Sequence, residues 1–354
     1  MERRLPNLRG LSLAELEAFF TERGQPRYRA DQVFRRLHHL KARSAEEMTE
    51  LPAALRLELD RAGAVEGLSL AHRAADVGGT EKFIVELPGG EPPLRQVEAV
   101  WIVAGDDVPG EGRRTVCISS QVGCSLDCTF CATGTLPFRG NLEAWQMVDQ
   151  VYALERARNE RASNVVFMGM GEPFHNYEEV LAAAWLLHDP RGAGLGARRI
   201  TISTAGVVPA IRRFTEEEQP FNLAVSLNHP DPVARSRVMP LNDRHPLDEL
   251  IAAVRDYTRK SGRRVTFEYV MMAGVNLDRR HADQLIAIAA PLRCKVNLIP
   301  LNTDLGGLRR PSAHEAAAFR ERLAAAGVPA FDRGSPGRDV GGACGMLALE
   351  RIDP

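Results

Sequence analysis

Three closely spaced cysteines give the strongest chemical signal in this sequence. Cys124, Cys128 and Cys131 lie at spacings of four and three residues within the glycine-containing segment TVCISSQVGCSLDCTFCATGTLPFRG. Thiolates spaced in this way can ligate one iron–sulfur cluster. A 4Fe-4S cluster has four irons, so three protein ligands leave one iron open to a small molecule. The triplet therefore predicts a cluster that takes part in a reaction.

Zinc and disulfides are the competing interpretations of these cysteines. Cys117 would supply a fourth ligand to a structural zinc ion, but zinc ligands usually come as two pairs separated by a dozen or more residues. Disulfides need an oxidising compartment, and nothing in the sequence indicates one. We therefore favour the cluster.

The triplet, with Phe130 directly before its last cysteine, resembles the radical S-adenosylmethionine (SAM) superfamily. In that superfamily the open iron binds the amino and carboxylate groups of SAM. The longer string CISSQVGCSLDCTFCATG is similar to one branch, the RlmN/Cfr family of RNA adenosine methyltransferases. This resemblance implies a 4Fe-4S cluster, two SAM molecules per turnover and an RNA substrate.

The length and composition are those of a soluble globular enzyme with a large domain and a small accessory one. The chain has 354 residues, of which 44% are apolar and 26% charged. It has no run of eighteen apolar residues, and MERRLPNLRG lacks the apolar region of a signal peptide, so we expect a cytoplasmic protein without membrane segments. We also expect this protein to be a monomer.

The net charge of −1 gives no overall nucleic-acid signature, so RNA binding must depend on local patches. Residues 23–43 hold seven Lys and Arg against one acid, Asp31. This basic segment is either an RNA contact or a solvated helix face.

Helical patterns dominate residues 12–62. Ser12 and Glu15 are spaced as a capping box. Two later segments carry apolar residues near helical spacing, namely Tyr28, Val33, Phe34, Leu37 and Leu40, and then Met48, Leu51, Leu55 and Leu59. We expect a helical accessory domain at residues 1–75. Its strings GQPRYRADQVF and MTELPAALRLEL resemble the RNA-contacting N-terminal domain of the RlmN family.

Residues 76–110 are predicted to form a two-stranded β-hairpin extension, because apolar and polar residues alternate in GTEKFIVELPGG and QVEAVWIV. Glu98 lies in the second strand, where a carboxylate either faces solvent or, if buried, is paired or used. In the RlmN/Cfr pattern the Glu of VExV is a proton acceptor in the substrate pocket. The resemblance therefore favours a catalytic role for Glu98.

From residue 111 to 354, apolar strands alternate with amphipathic helices, an α/β pattern. The predicted strands are VCISS, VVFMG, RITIS, FNLAVSL, VTFEYVM and KVNLIPL, and the helices are at 141–158, 177–188, 207–214, 246–260, 279–290 and 312–326. Asn141 is the predicted N-cap of the first helix. Six βα units are too few for an ordinary eight-stranded barrel and predict a partial (βα)6 TIM-type barrel of the radical SAM class. A doubly wound sheet is the alternative.

Either fold places functional residues after the carboxyl ends of the strands. Gly171 and Glu172 in MGMGEP resemble the superfamily motif that binds the SAM amino group, and Gly169 and Gly171 allow close backbone approach. Other strand ends carry hydrogen-bonding groups at positions where the family binds SAM: Ser203, Ser226, Leu227, Asn228 and Asn302. One such residue alone would be interpreted as a helix cap, but together they predict a SAM site.

Two further cysteines lie outside the triplet, Cys117 and Cys344. The string GGACGML resembles the ACGQL of the family, whose cysteine carries the transferred methyl group. The resemblance implies that one SAM methylates Cys344 and that a second yields a 5′-deoxyadenosyl radical, so that the carrier carbon adds to adenine. Glu98 or a neighbouring base then takes the ring proton, and Cys117 attacks the Cys344 sulfur, forming a disulfide that a flavodoxin-type reductant resets. Cys294 is predicted to be a buried apolar residue.

The family offers two products, methylation at carbon 2 of adenosine, in 23S rRNA at the peptidyl-transferase centre and in tRNA beside the anticodon, or at carbon 8. We favour carbon 2, the commoner housekeeping reaction. A radical SAM enzyme acting on a peptide or small molecule, and a structural cluster protein in an RNA complex, remain alternatives, although neither needs cysteines outside the triplet. Asn228 stands where the family commonly has His, and Met346 where it has Gln, which is compatible with a divergent paralogue.

Overall fold

A mixed ten-stranded sheet forms the centre of the protein, which a computed structural model describes at residues 5–89, 95–104 and 112–349. The strands are β1 Ser69–Ala75, β2 Glu81–Glu86, β3 Gln96–Ala104, β4 Arg113–Ile118, β5 Gln121–Val122, β6 Gly140–Asn141, β7 Asn164–Phe167, β8 Ile200–Thr204, β9 Asn222–Ser226, β10 Val265–Met271, β11 Cys294–Pro300 and β12 Ala330–Asp332. The order in the large sheet is β1-β2-β3-β4-β7-β8-β9-β10-β11-β12, and β5 pairs only with β6.

The helices cover this sheet and its N-terminal extension. They are α1 Leu13–Thr21, α2 Tyr28–His38, α3 Ala53–Arg61, α4 Ala144–Arg158, α5 Tyr177–His188, α6 Val208–Glu216, α7 Pro232–Val238, α8 Leu247–Ser261, α9 Arg279–Ala289 and α10 Ala313–Ala325. Among the helices of the described residues, none combines the length and the apolarity that crossing a membrane requires.

Strands β4 and β7 to β12 are parallel and form the predicted partial barrel. Each of the first six is followed by a helix, and α7 is an additional helix that the sequence pattern did not predict. In β10, Val265, Phe267 and Tyr269 lie on one face of the strand and are fully buried, whereas Glu268 lies on the other face and lines a cavity. The predicted fold class is confirmed, and the carboxyl ends of the parallel strands all lie at the same edge of the sheet.

Three antiparallel strands, not two, precede the parallel strands. β1, β2 and β3 pair in succession, and β3 pairs antiparallel with β4. β1 lies within residues 1–75, which we expected to be helical, because its polar residues His72 and Arg73 hide the strand pattern. Residues 90–94 and the predicted boundary at 110/111 lie outside the described residues, and the division into three domains remains a prediction.

The N-terminal helices pack against the barrel through α4. The predicted capping box is present: Glu15 N–H donates to the Ser12 hydroxyl oxygen, and Ser12 N–H donates to the Glu15 carboxylate. Of the predicted apolar residues of the second helix, Val33, Phe34 and Leu37 are buried, whereas Tyr28 and Leu40 lie at its ends and are exposed. A buried hydrogen bond of 3.1 Å between the His38 ring and the Tyr152 hydroxyl joins α2 to α4.

Asn141 is not the N-cap of α4, so that prediction was wrong. The helix begins at Ala144, and Glu143 caps it together with Gln146. Asn141 instead belongs to β6, where its side-chain oxygen accepts a hydrogen bond of 2.8 Å from Gln121. The β5–β6 pair thus fixes both ends of the segment that contains the cysteine triplet.

Candidate active site

A cavity of about 170 Å³ opens at the carboxyl ends of the parallel strands. The structure brings most of the predicted site residues to its wall: Cys124, Cys128, Cys131, Gly171, Glu172, Ser203, Ser226, Asn228, Asn302 and Cys344. These residues are spread over more than 200 positions of the sequence, and the strand order is what collects them. A smaller neighbouring cavity of about 70 Å³ is lined by Cys117, Cys131, Arg333 and Cys344.

The cysteine triplet is held as a compact loop over the larger cavity. Cys131 N–H donates to the Cys128 carbonyl at 3.1 Å. A Cβ at Gly134 would lie 2.9 Å from that same carbonyl oxygen, so only glycine allows the loop to fold this closely. Thr129 N–H donates to the Val238 carbonyl at 3.1 Å, which ties the loop to α7.

The donor set of the triplet fits an iron–sulfur cluster. All three thiols are free, half-buried and exposed to the same cavity. Burial raises the pKa of the Cys124 thiol to about 12, so these sulfurs become thiolates by binding metal. Within the described residues, no three His, Cys, Asp or Glu side chains are grouped around a single-ion position. The three thiols line one cavity, as ligation of a single cluster requires.

Gly171 and Glu172 follow β7 at the cavity wall. Gly171 has a φ of 97°, and a Cβ there would lie 2.5 Å from the Gln121 side chain, so packing against protein already requires this glycine. The two Glu172 oxygens accept hydrogen bonds from Phe174 N–H at 2.9 Å and Ala205 N–H at 2.7 Å. Burial raises the Glu172 pKa to about 7. The carboxylate is thereby fixed in orientation beside the cavity.

Ser203, Ser226 and Asn228 lie at the ends of the next two strands and line the cavity. Asn228 has a φ of 56°, and its side-chain oxygen accepts from Val270 N–H at 2.9 Å. Leu227 lies between Ser226 and Asn228, just after β9. It is fully buried, is not part of the cavity wall, and donates its N–H to the Glu268 carbonyl. Leu227 can thus serve a ligand only through the backbone position that it fixes.

Asn302 connects the cavity to the Cys344 loop. Its amide nitrogen donates to the Cys344 carbonyl at 3.1 Å, and its amide oxygen accepts from Arg310 at 2.6 Å. The loop is also held by Ala132 N–H, which donates to the Gly345 carbonyl at 2.7 Å. The cluster loop and the Cys344 loop are therefore in direct contact.

Cys117 and Cys344 face the smaller cavity as free thiols, and no disulfide joins them in the structure. Cys117 lies in β4 opposite Val100 of β3. Burial is the main cause that raises the pKa of Cys117 to about 12. The neighbouring Cys344 sulfur also raises it, and the positive charge of Arg333 lowers it.

Arg333 was missed by the sequence analysis. It follows β12, lines both cavities and lies 3.5 Å from a Glu268 carboxylate oxygen. Neither cavity wall contains another Lys or Arg among the described residues. The available signal was an arginine at the end of the string PAFDR, but nothing in the sequence indicated that its side chain turns inward.

Glu98 lies outside both cavity walls. It is fully buried, 3.0 Å from the ammonium of Lys82, and its other oxygen accepts from Leu349 N–H at 3.1 Å. Burial raises its pKa, and Lys82 acts in the opposite direction. The solvent-facing alternative is therefore excluded, and the C-terminal segment covers this carboxylate.

Two parts of the chain match two different protein families. Residues 118–286 match the Radical SAM superfamily, and residues 6–65 match the ribosomal RNA large subunit methyltransferase N-terminal domain. A relative from Leptospira interrogans, named probable dual-specificity RNA methyltransferase RlmN, is 46% identical over 341 residues, covering 96% of this chain and 95% of that protein. The chain belongs to the RlmN family. It is a radical SAM RNA methyltransferase that uses a 4Fe-4S cluster and SAM, as predicted.

Two further relatives agree with this assignment. The dual-specificity RNA methyltransferase RlmN of Syntrophobacter fumaroxidans is 40% identical over 346 residues, covering 97% of this chain and 98% of that protein. The crystal structure of a radical SAM methyltransferase from Sphaerobacter thermophilus has a TM-score of 0.91 at 42% identity and covers 98% of this chain and 100% of that one. RNA is thus the substrate class of this RlmN family member.

We expect Cys128→Ala to prevent cluster assembly and all SAM cleavage, because two remaining thiolates cannot hold the cluster in a cavity built for three. Iron and sulfide analysis after anaerobic reconstitution, with 5′-deoxyadenosine quantified by chromatography, measures both effects. Cys294→Ala is the matched control, since Cys294 is buried in β11, as predicted, and donates to the Ala289 carbonyl. Stoichiometric zinc without iron in active protein would contradict the assignment of the triplet.

Proposed function

We propose that this enzyme methylates carbon 2 of an adenosine in 23S rRNA at the peptidyl-transferase centre, and of an adenosine beside the anticodon in tRNA, through a methyl group carried on Cys344. The observation that carries the proposal is the position of Cys344. It lines the cavity of the cysteine triplet and also the smaller cavity that contains Cys117. A carrier sulfur needs access to a methyl source on one side and to a second sulfur on the other.

The residues around the larger cavity are suited to hold the cluster and SAM. We assign the cluster to Cys124, Cys128 and Cys131, and the SAM site to Gly171, Glu172, Ser203, Ser226, Leu227, Asn228 and Asn302. When bound, the cluster and SAM supply the methyl group, the 5′-deoxyadenosyl radical and the source and sink of one electron. The Glu172 carboxylate is fixed by two backbone N–H groups and can pair with a ligand ammonium group.

Cys344 and Cys117 transfer the carbon and release the product. One C–H bond of the methyl group on Cys344 would break, and its hydrogen atom would pass to the 5′-deoxyadenosyl group. That carbon then bonds to the base, and the ring proton and one electron leave. The Cys117 sulfur, having lost its own proton, then bonds to the Cys344 sulfur as the sulfur–carbon bond breaks. The electron pair of that bond stays with the carbon, which takes up a proton and becomes the methyl group. Two electrons from a flavodoxin-type reductant convert the resulting disulfide back to two thiols.

Glu98 is our candidate for the acceptor of the ring proton. Burial raises its pKa, which makes the ionised carboxylate a stronger base and so a better proton acceptor. Because Leu349 N–H donates to this carboxylate, the C-terminal segment must shift before Glu98 reaches a base. The same segment carries Cys344, so such a shift would couple carrier and acceptor.

Two observations support the RNA targets. Curated relatives that match almost the whole chain are named dual-specificity RNA methyltransferases, which fits activity on two kinds of RNA. The N-terminal residues 6–65 match a domain named for large-subunit ribosomal RNA methyltransferases. Carbon 2 is preferred to carbon 8 because these relatives carry the RlmN name. The enzyme would reach the ring of an extruded base, since neither carbon is accessible to a carrier sulfur within a stacked helix.

The basic segment 23–43 contains the surface that we assign to RNA. Three of its seven cations are committed to acids within the protein: Arg27 to Glu17, Arg36 to Glu50 and Lys41 to Glu155. Arg35 and Arg43 are exposed, as is the Tyr28 ring at the start of α2. Exposed arginines and an exposed aromatic ring on one segment suit contacts to phosphates and to an unstacked base.

We expect the double variant Arg35→Glu/Arg43→Glu to weaken RNA binding by about tenfold or more at low salt and to reduce the slope of affinity against salt concentration, because fewer counterions are released. SAM cleavage should be unchanged. The matched control is Arg212→Glu/Arg259→Glu, which reverses two exposed arginines on α6 and α8. Equal effects of the two double variants would show that the basic segment is not the RNA surface.

Peptide mass spectrometry of the purified enzyme tests the carrier. A methyl group on Cys344, labelled when the protein is supplied with methyl-labelled SAM, is the expected result. Transfer of that label to RNA in a single turnover should follow. Label that enters RNA without ever being found on Cys344 would refute the carrier mechanism.

A further inference from the structure

Arg235 of α7 is a fully buried arginine directly behind the cavity wall. Its Nη2 donates to the Ala205 carbonyl at 2.7 Å and to the Ser226 carbonyl at 3.1 Å, and its Nε donates to the Leu227 carbonyl at 3.1 Å. Ala205 and Ser226 both line the cavity of the cysteine triplet. Arg235 thus lies one residue layer behind this cavity.

The partners of this guanidinium are neutral. Besides the three carbonyls, Nη1 donates to the Asn242 side-chain oxygen at 2.8 Å. Among residues 5–89, 95–104 and 112–349, no carboxylate forms an ion pair with Arg235. Arg9 is also fully buried, but its guanidinium lies 3.5 Å from the Asp149 carboxylate. A buried cation is costly unless negative charge compensates it, so Arg235 indicates an anion nearby.

The cysteine triplet is the place where that anion belongs. The loop of the triplet is hydrogen-bonded to the same helix, through Thr129 N–H and the Val238 carbonyl at 3.1 Å. A cluster ligated by three thiolates carries net negative charge, and reduction adds one more. On the other side of Ala205, the Glu172 carboxylate accepts from two backbone N–H groups and forms no ion pair with Arg235.

Direct binding of SAM by Arg235 does not fit this geometry. Nε and Nη2 are occupied by carbonyl oxygens and Nη1 by Asn242, so the guanidinium acts as a fixed charge within the wall. A fixed positive charge close to a cluster stabilises its more negative, reduced state. Arg235 thereby becomes a positioning residue for the strand-end loops and a charge that acts on the cluster.

We propose that Arg235 compensates the negative charge of the thiolate-ligated cluster and raises its reduction potential. The electron that reduces the cluster is then easier for a reductant to supply. This role belongs to the cluster site and does not depend on which base or carbon is methylated.

Redox titration of the reconstituted protein, followed by electron paramagnetic resonance, tests the proposal. Without SAM, Arg235→Gln should shift the midpoint potential to more negative values, whereas Arg235→Lys, which keeps the charge, should leave it near that of the unsubstituted protein. Cluster content is checked by iron and sulfide analysis. Equal midpoint potentials for the Gln and Lys variants would overturn the proposal. If both potentials were shifted, lost hydrogen bonds rather than lost charge would explain the shift; if neither were shifted, Arg235 would have no effect on the cluster.

A second pair of variants keeps Arg235 itself and remains informative if its replacement prevents folding. Asn242→Asp places a carboxylate within 2.8 Å of the guanidinium at almost constant shape and should shift the potential in the same negative direction. Asn242→Leu loses the same hydrogen bonds without adding charge and should not. A shift that appears only with SAM present would assign the charge to the SAM carboxylate and overturn the cluster role.

Discussion

Replacing Cys344 by Ala is expected to abolish RNA methylation, a loss of about 10⁶-fold of the size seen when a covalent nucleophile is removed. The physical reason is that the carbon would have no sulfur to carry it between the two cavities that Cys344 lines. Methyl incorporation into RNA and into the protein should both disappear, which scintillation counting with methyl-labelled SAM measures.

The design separates this loss from damage to the cluster. Cys344→Ala should keep its iron and sulfide, because Cys344 is not one of the triplet. Cys294→Ala, which removes a thiol buried in β11, should methylate RNA at close to the normal rate. Continued methylation by Cys344→Ala would rule out the carrier role.

Replacing Cys117 by Ala is expected to trap RNA covalently on the protein. The carbon would still bond to the base, but no second sulfur would be present to break the bond between that carbon and Cys344. A denaturing gel should show a protein–RNA band that nuclease removes, and multiple-turnover methylation should fall to background. Normal turnover by Cys117→Ala, with no trapped RNA, would remove Cys117 from the release step.

The sequence predicted the residues that obey a positional rule. Glu172, Ser203 and Asn302 were found because parallel strands direct their carboxyl ends to one edge, and strand order brings together groups that are far apart in the chain. The six βα units followed from apolar strands alternating with helices. The cysteine triplet needed only local spacing.

Other features depend on three-dimensional context that local patterns do not contain. Arg333 and Arg235 are two of 45 Lys and Arg residues, and their inward positions depend on partners that are distant in sequence, such as Glu268 and Ala205. β1 was missed because its polar residues lie on an antiparallel edge. Asn141 resembled a helix cap in the sequence, but it lies in β6 and pairs with β5, and the helix begins only at Ala144.

Glu98 shows how a correct burial argument can leave the role open. Its place among apolar residues of β3 suggested that a buried carboxylate must be paired or used, and the structure pairs it with Lys82. Sequence periodicity could not reveal this pairing, because Lys82 lies on β2 and meets Glu98 only through strand register. The same holds for Leu349, whose N–H donates to this carboxylate from 251 positions further along the chain.

Nucleoside mass spectrometry of rRNA and tRNA tests the central claim most directly. The RNA should come from a methylation-deficient host that expresses this protein, with the Cys344→Ala variant as the matched control. The account predicts 2-methyladenosine in 23S rRNA and in tRNA, absent from the control. Detection of 8-methyladenosine in its place, or of neither product from protein that contains its cluster, would contradict the proposed reaction.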